Sequence, residues 1–217
     1  MSNPALGSRG RKILVISSVI LGIVYIILSY FVGQDAFRGI DYQLLLTSQD
    51  IISQQFDIPF SFLTILGSSE ITVLVLGIIF LYVLLKKRHI FFSLSLFFLI
   101  FVIELAGKIF IYHPLPPSVF NRYSLDFHLP SSFIVNTNFS FPSGHVSRST
   151  FLVVIILLLI ARKNWSRLNK IFASSLTILI FLFILISRIY LAEHWFSDVL
   201  GGVILGSSLA TLALGFW

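Results

Sequence analysis

The chain contains no cysteine, and only 11% of its 217 residues are charged. Without cysteine there is no disulfide, no thiol nucleophile and no thiolate metal site, and the redox compartment is left open. A soluble domain carries roughly 25% charged residues, so this chain lacks the means to hydrate a whole surface. Linkers, shifts of composition and internal repeats are also missing, which leaves a single membrane domain over residues 1–217 as the expectation. In their place stand 57% hydrophobic residues, 23 Phe among them, and a mean hydropathy of +0.97. These are the marks of an integral membrane protein. The net charge of +6 could suggest nucleic acid, but its distribution explains it otherwise.

Residues 1–12 are polar and basic, and an apolar run from Ile13 to Val32 follows. That run is too long for the core of a signal peptide and lacks a small-residue cleavage site, so it reads as a retained first span. Further apolar runs cover about Glu70–Leu85, residues 90–112, Val146–Ala161, Ile171–Ile189 and His194–Phe216. The expected fold is therefore all-α, a bundle of six transmembrane helices. Between the first two runs, residues 34–60 show Ile40, Leu44, Ile51, Ile52 and Phe56 at helical spacing against Asp41, Gln43, Gln49, Asp50, Ser53 and Gln54. That pattern predicts an amphipathic helix at the interface, with a solvated loop as the competing reading. Residues 113–145 form a long Pro-, Ser- and Asn-rich loop, a length more often functional than filler. In the last run Gly202 and Gly206 make a GxxxG pair suited to close helix packing.

Acidic residues are absent from the N-terminus and from the linkers after the second and fourth runs. Those segments hold ten of the fifteen Lys and Arg: Arg9, Arg11, Lys12, Lys86, Lys87, Arg88, Arg162, Lys163, Arg167 and Lys170. The positive-inside rule then sets both termini in the cytoplasm. Five basic residues are left toward the outside, Arg38, Lys108, Arg122, Arg148 and Arg188, and they need another reason.

That reason lies in how the polar residues converge. With this topology Lys108, the Pro142-Ser143-Gly144-His145 segment, Arg188 and His194 all reach the outer boundary. Lys108, Arg148 and Arg188 are cations suited to phosphate oxygens, and Ser143-Gly144 opens a helix whose free N–H groups favour an anion. His194 and Asp198 are four residues apart, on one helix face, so the carboxylate can fix the tautomer of the imidazole and support its charge. His194 is thus the better nucleophile, and His145 can protonate the leaving oxygen. Two such histidines imply attack on phosphorus through a phosphohistidine intermediate. Plainer readings stand beside these. Lys108 can snorkel and pair with Glu104, Ser143 can be an N-cap, and Glu193 can favour a helix N-terminus. Arg148 can bind substrate or instead pair with Glu193 or a loop carbonyl. His113, His128 and Arg122 read as solvated loop residues. No HxxxH or HExxH spacing argues for a metal.

Three segments carry a family resemblance. Pro142-Ser143-Gly144-His145, and Ser187-Arg188 with His194 and Asp198 at their gaps, match in full the P-S-G-H and S-R-x5-H-x3-D parts of a known pattern. The sequence resembles the type 2 phosphatidic acid phosphatase superfamily, which also includes vanadium haloperoxidases and glucose-6-phosphatase, over roughly residues 70–210. The remaining part, K-x6-R-P, keeps Lys108 and Pro116 but has Leu115 in place of the arginine. His113 and Arg148 are the candidates to replace that cation, with Arg122 a remoter one. The resemblance implies His194 as nucleophile, Asp198 as its orienter and His145 as general acid. It implies Lys108, Ser143, Gly144 and Arg188 as phosphate ligands, joined by Arg148 if that residue serves. It further implies a metal-independent lipid phosphate phosphatase without cofactor, acting on a polyprenyl pyrophosphate, phosphatidic acid or phosphatidylglycerol phosphate. The site would face outward from a bacterial or archaeal plasma membrane, with no nucleic-acid partner and no obligate protein partner. A lipid phosphotransferase would use the same residues. A transporter using Lys108 and Arg188 as an anion site would need neither Asp198 nor the PSGH segment. Asn138 lies in a glycosylation sequon, relevant only in a eukaryotic secretory pathway.

Overall fold

The computed structural model describes residues 8–86, 91–126, 129 and 139–216. Its helices are α1 (Ser8–Gly33), α2 (Arg38–Ile51), α3 (Asp57–Ile65), α4 (Ser69–Lys86), α5 (Phe91–Leu94), α6 (Phe97–Phe110), α7 (Gly144–Arg162), α8 (Arg167–Tyr190) and α9 (Phe196–Gly215), and no strand occurs among the described residues. The all-α expectation holds. Among the described residues four helices, α1, α7, α8 and α9, are long and apolar enough to cross a membrane. A fifth span arises if the segment Gln54–Ile65 and α4, bent by 45° at their junction, are taken as one. The run expected as the third span is interrupted at Ser95-Leu96, between α5 and α6. The 14 residues of α6 rise about 21 Å, short of a hydrocarbon core of about 30 Å.

α9 is the axis of the bundle. In its apolar window 67% of residues are buried, against 11% in α1 and in α8, whose Ile, Leu and Phe side chains point outward as lipid-facing helices require. α1 and α7 pack most extensively on α9. The GxxxG pair makes the α7 contact possible. A Cβ at Gly202 would lie 2.8 Å from the Ser143 carbonyl oxygen, and one at Gly206 would lie 2.7 Å from Thr150 Cβ and run into the Ser147 carbonyl. Backbones at that distance leave no room for a side chain. Phe97, Phe141, Phe151, Ile155 and Leu205 belong to the main apolar core.

α2 is a helix, as its spacing predicts. Asp41 and Leu45 are the buried residues, whereas Ile40 and Ile51 are exposed. Exposed apolar positions suit a helix lying at the interface, and Asp41 is buried because it finds partners on α9 that no local pattern reveals. The loop after α6 is fastened to the rest. Pro114 forms an isolated bridge with Phe139, Trp195 Nε1 donates to the Pro114 carbonyl at 2.6 Å, and Gln49 Nε2 donates to the carbonyls of Phe120 and Tyr190 at 2.8 Å each. His128, the Asn138 sequon, Lys87 and Arg88 lie outside the described residues.

Candidate active site

The chain turns sharply between α8 and α9, and this turn sets the position of His194. Ala192 takes φ 56°, with Glu193 N–H bonded to Arg188 O at 3.1 Å and Ala192 N–H to Ile189 O at 3.0 Å. These two bonds form a Schellman closure, a turn normally built on glycine at the left-handed position. The alanine there costs about 1 kcal/mol in sterics. His194 N–H also bonds Arg188 O, at 3.0 Å. The last turn of α8 and the first residues of α9 are thereby locked together, with Arg188 and His194 on either side.

Asp198 is fully buried in the first turn of α9. Its Oδ2 accepts from the Trp195 backbone N–H at 3.0 Å, half of a capping box, and lies 3.1 Å from His194 Nδ1. The predicted His–Asp pair is present, and its Nδ1 contact leaves His194 Nε2 as the other ring nitrogen. Ser143 N–H donates to the Asp198 carbonyl at 3.1 Å, which fixes the start of α7, and hence His145, against the start of α9. His145 and His194 both feel the charges of Arg188, Arg148 and Lys108. Two histidines and three cations from four segments thus share one neighbourhood.

The cations are held by identifiable partners. Arg188 Nη1 donates to Thr64 Oγ1 at 2.6 Å and also pairs with Glu193. Lys108 Nζ pairs with Glu104 Oε1 at 2.8 Å, as the snorkelling alternative expects. Arg148 corrects an expectation: its partner is Glu104, Nη1 to Oε2 at 2.5 Å, and its guanidinium lies over the Phe101 ring at 4.9 Å. Glu193 is taken by Arg188 instead, because it follows in the same Schellman turn. Donor capacity remains. Among the described residues, Ser143 Oγ, Arg148 Nε and Arg188 Nε are buried without a hydrogen-bond partner. Buried polar atoms are ordinarily bonded, so three of them around one helix N-terminus fit a phosphoryl group. A small cavity of about 40 Å³ is bordered by Thr64, Ser68, Tyr123, His145, Arg188 and Glu193.

A second layer lies behind Asp198 and was not legible beforehand. His113, expected in solvent, is buried, with Nε2 3.5 Å from Asp198 Oδ1 and 3.1 Å from Ser197 Oγ. Asp41 accepts from both the backbone N–H and the hydroxyl of Ser197 at 2.8 Å. Burial pushes the His113 pKa down to about 4, with Asp35 pulling weakly upward, and burial likewise raises that of Asp41 against its Ser197 bonds. Arg122 is not a free solvated residue either, since its guanidinium lies over the Tyr190 ring at 5.2 Å and donates to the Tyr190 hydroxyl at 3.2 Å. Leu115 borders a different cavity, about 270 Å³ in volume, together with Asp35, Arg38, Asp41 and His113. Thr64 was also missed. Only the fold carries it from α3 to Arg188.

The family model described as the PAP2 superfamily matches residues 88–217 of the chain. The chain belongs to the PAP2 superfamily. No curated protein sequence matches it. Among solved structures it is similar to the first transmembrane PAP2 type phosphatidylglycerolphosphate phosphatase from Bacillus subtilis, with a TM-score of 0.71 and 24% identity, covering 92% of this chain and 95% of that one. It is also similar to LpxE from Aquifex aeolicus, with a TM-score of 0.57 and 19% identity, covering 81% of this chain and 94% of that one. At these identities the likeness concerns the fold, a multi-pass membrane form of the PAP2 superfamily. The match begins at residue 88, so α1 to α4, with Asp41 and Thr64, lie outside the part that the PAP2 model describes.

Proposed function

We propose that this PAP2 chain is a lipid phosphate phosphatase that removes phosphate from a phosphomonoester or pyrophosphate of a membrane lipid. One observation carries the reading: the buried His194–Asp198 pair at 3.1 Å stands beside Ser143 Oγ, Arg148 Nε and Arg188 Nε, three buried polar atoms left without partners. In this reading His194 Nε2 attacks phosphorus while Asp198 holds Nδ1–H and stabilises the cationic ring. Lys108, Arg148, Arg188, Ser143 and the Gly144 N–H bind the non-bridging oxygens. His145 gives its proton to the leaving lipid oxygen, and a phosphohistidine forms. Water then attacks phosphorus, His145 accepts its proton, and phosphate leaves with His194 restored. No step calls for a metal ion or cofactor.

The segmental distribution of Lys and Arg supports both termini in the cytoplasm and a site facing outward, as in a bacterial or archaeal plasma membrane, and six spans result when α5 and α6 together make the remaining crossing. Phosphatidylglycerol phosphate joins phosphatidic acid and polyprenyl pyrophosphate as candidate substrates, and the Bacillus subtilis structure, a phosphatidylglycerolphosphate phosphatase, supports testing it first. Purified protein given a panel of lipid phosphates is expected to release inorganic phosphate with chelator present. His194→Ala and His145→Ala are each expected to lower kcat by 10³-fold or more on the order of other nucleophile and acid–base deletions. Full activity in either variant, with folding intact by thermal unfolding, refutes the assignment.

A further inference from the structure

Glu104 stands where the substrate should. It is one turn before Lys108 on α6, and its two carboxylate oxygens are shared between Lys108 at 2.8 Å and Arg148 at 2.5 Å. The same oxygens press on the backbone of Gly144, so that a Cβ built there would coincide with the carboxylate. Lys108, Arg148 and Gly144 are three of the groups to which the proposed function allots phosphate oxygens. Arg188 is matched in the same way by Glu193. The cradle is therefore largely neutralised by the protein itself, with the carboxylates of Glu104 and Glu193 facing three cations and one positive charge left over. Unsatisfied donors nonetheless remain at Ser143 Oγ, Arg148 Nε and Arg188 Nε, more than a carboxylate with two oxygens can engage.

We infer that Glu104 is a specificity-determining residue, a resident anion that admits a phosphomonoester or terminal diphosphate group to the Lys108–Arg148–Gly144 cradle and turns away the monoanionic phosphodiesters of bulk lipid. A site of bare cations at a membrane surface would be filled by the phosphodiester headgroups that surround it, each offering one negative charge. Exchanging the Glu104 carboxylate for another singly charged anion gains no charge interaction and loses a covalently tethered, pre-placed ligand. A phosphomonoester differs on two counts. It carries between −1.5 and −2 near neutral pH, and it presents three strong acceptor oxygens. It can take over the contacts of Glu104 and also satisfy the orphaned donors. Glu104 then swings off Gly144 as the phosphoryl group arrives.

This inference rests on the phosphatase reading, and the experiment separates the two. Full-length wild type and Glu104→Gln are reconstituted in vesicles of zwitterionic phosphatidylcholine or of monoanionic phosphatidylglycerol, with a trace of the lipid phosphate turned over best, and inorganic phosphate is titrated as inhibitor. Glu104→Gln is expected to bind inorganic phosphate about tenfold more tightly than wild type, one charge-assisted contact being decided in its favour. Its turnover is expected to fall severalfold in phosphatidylglycerol relative to phosphatidylcholine, while wild type turns over equally in both. Glu104→Asp, which keeps the charge but withdraws it by one methylene, is expected to shift both readouts in the same direction by less. Weaker phosphate inhibition in Glu104→Gln, with the same vesicle response as wild type, would mean that Glu104 only positions Lys108 and Arg148 and overturns the inference. Loss of folding in both variants overturns it too, by making Glu104 a structural residue. A wild type that neither releases phosphate nor is inhibited by it would sink the phosphatase reading instead.

Discussion

Asp198 sits between two imidazoles, with Oδ2 3.1 Å from His194 Nδ1 and Oδ1 3.5 Å from His113 Nε2. At the scale of single residues, local spacing and tertiary contact divide cleanly here. The His194–Asp198 pair was readable because four residues make one helical turn, so sequence distance becomes spatial distance. His113 lies far from Asp198 along the chain, and its loop composition pointed to solvent, so nothing local could reveal the contact. His113 also yields a pH prediction. Its folded pKa of about 4 lies below the ordinary 6.5, so between these values the unfolded chain holds more protons than the native one. Stability from this residue is therefore present above pH 6.5 and is lost as the pH falls toward 4, by up to about 3 kcal/mol. Asp41, with its raised pKa, contributes with the opposite sign as the pH falls through its folded value. Thermal unfolding at stepped pH reads this contribution as the difference between wild type and His113→Gln, wild type falling relative to the variant as the pH drops from 6.5 toward 4. An unchanged acid limb in the variant would show that His113 does not bury as a neutral ring.

Between elements, the seam of α7 and α9 governs the site. α7 carries His145 at its start and α9 carries Asp198 in its first turn, so the distance between the helices sets the distance between catalytic partners. Gly206 lies two turns below, where a side chain has no room. Gly206→Ala is expected to destabilise by about 1–3 kcal/mol through overpacking, and to lower kcat although position 206 touches none of the proposed catalytic residues. Thermal unfolding together with phosphate release checks both effects; unchanged values for both would mean that the seam is loose. GxxxG was legible in the sequence because small residues four apart have few other uses in an apolar helix. The burial of Asp41 on α2 was not. Amphipathicity ranks side chains by their affinity for water, whereas Asp41 is buried by two hydrogen bonds to Ser197, a partner supplied by a helix that comes 145 residues after α2 ends. The interruption at Ser95-Leu96 was equally hidden, since an apolar run looks the same whether the helix through it is continuous or broken.

For the molecule as a whole, the absence of cysteine makes the proposed topology directly testable. Asn164→Cys, in the basic linker between α7 and α8, and Ser118→Cys, in the loop after α6, each create a single thiol at an exposed position. In intact cells or sealed right-side-out vesicles a membrane-impermeant maleimide is expected to label Ser118→Cys and to spare Asn164→Cys until detergent is added. The reverse pattern would invert the orientation and turn the site toward the cytoplasm. The sequence by itself determined that the chain is a helical membrane protein with PSGH and SR–H–D segments, because hydropathy, helical period and short motifs are all local quantities. It also determined which cations stand apart from the basic linkers, since charge counts need no fold. Only the tertiary structure decided that Glu104 holds both Lys108 and Arg148, that Thr64 and Glu193 hold Arg188, and that His113, Ser197 and Asp41 stand behind Asp198. Buried charge must be satisfied by whatever the packing brings within about 3 Å, and which groups those are depends on how the helices cross, a relation that no stretch of sequence contains.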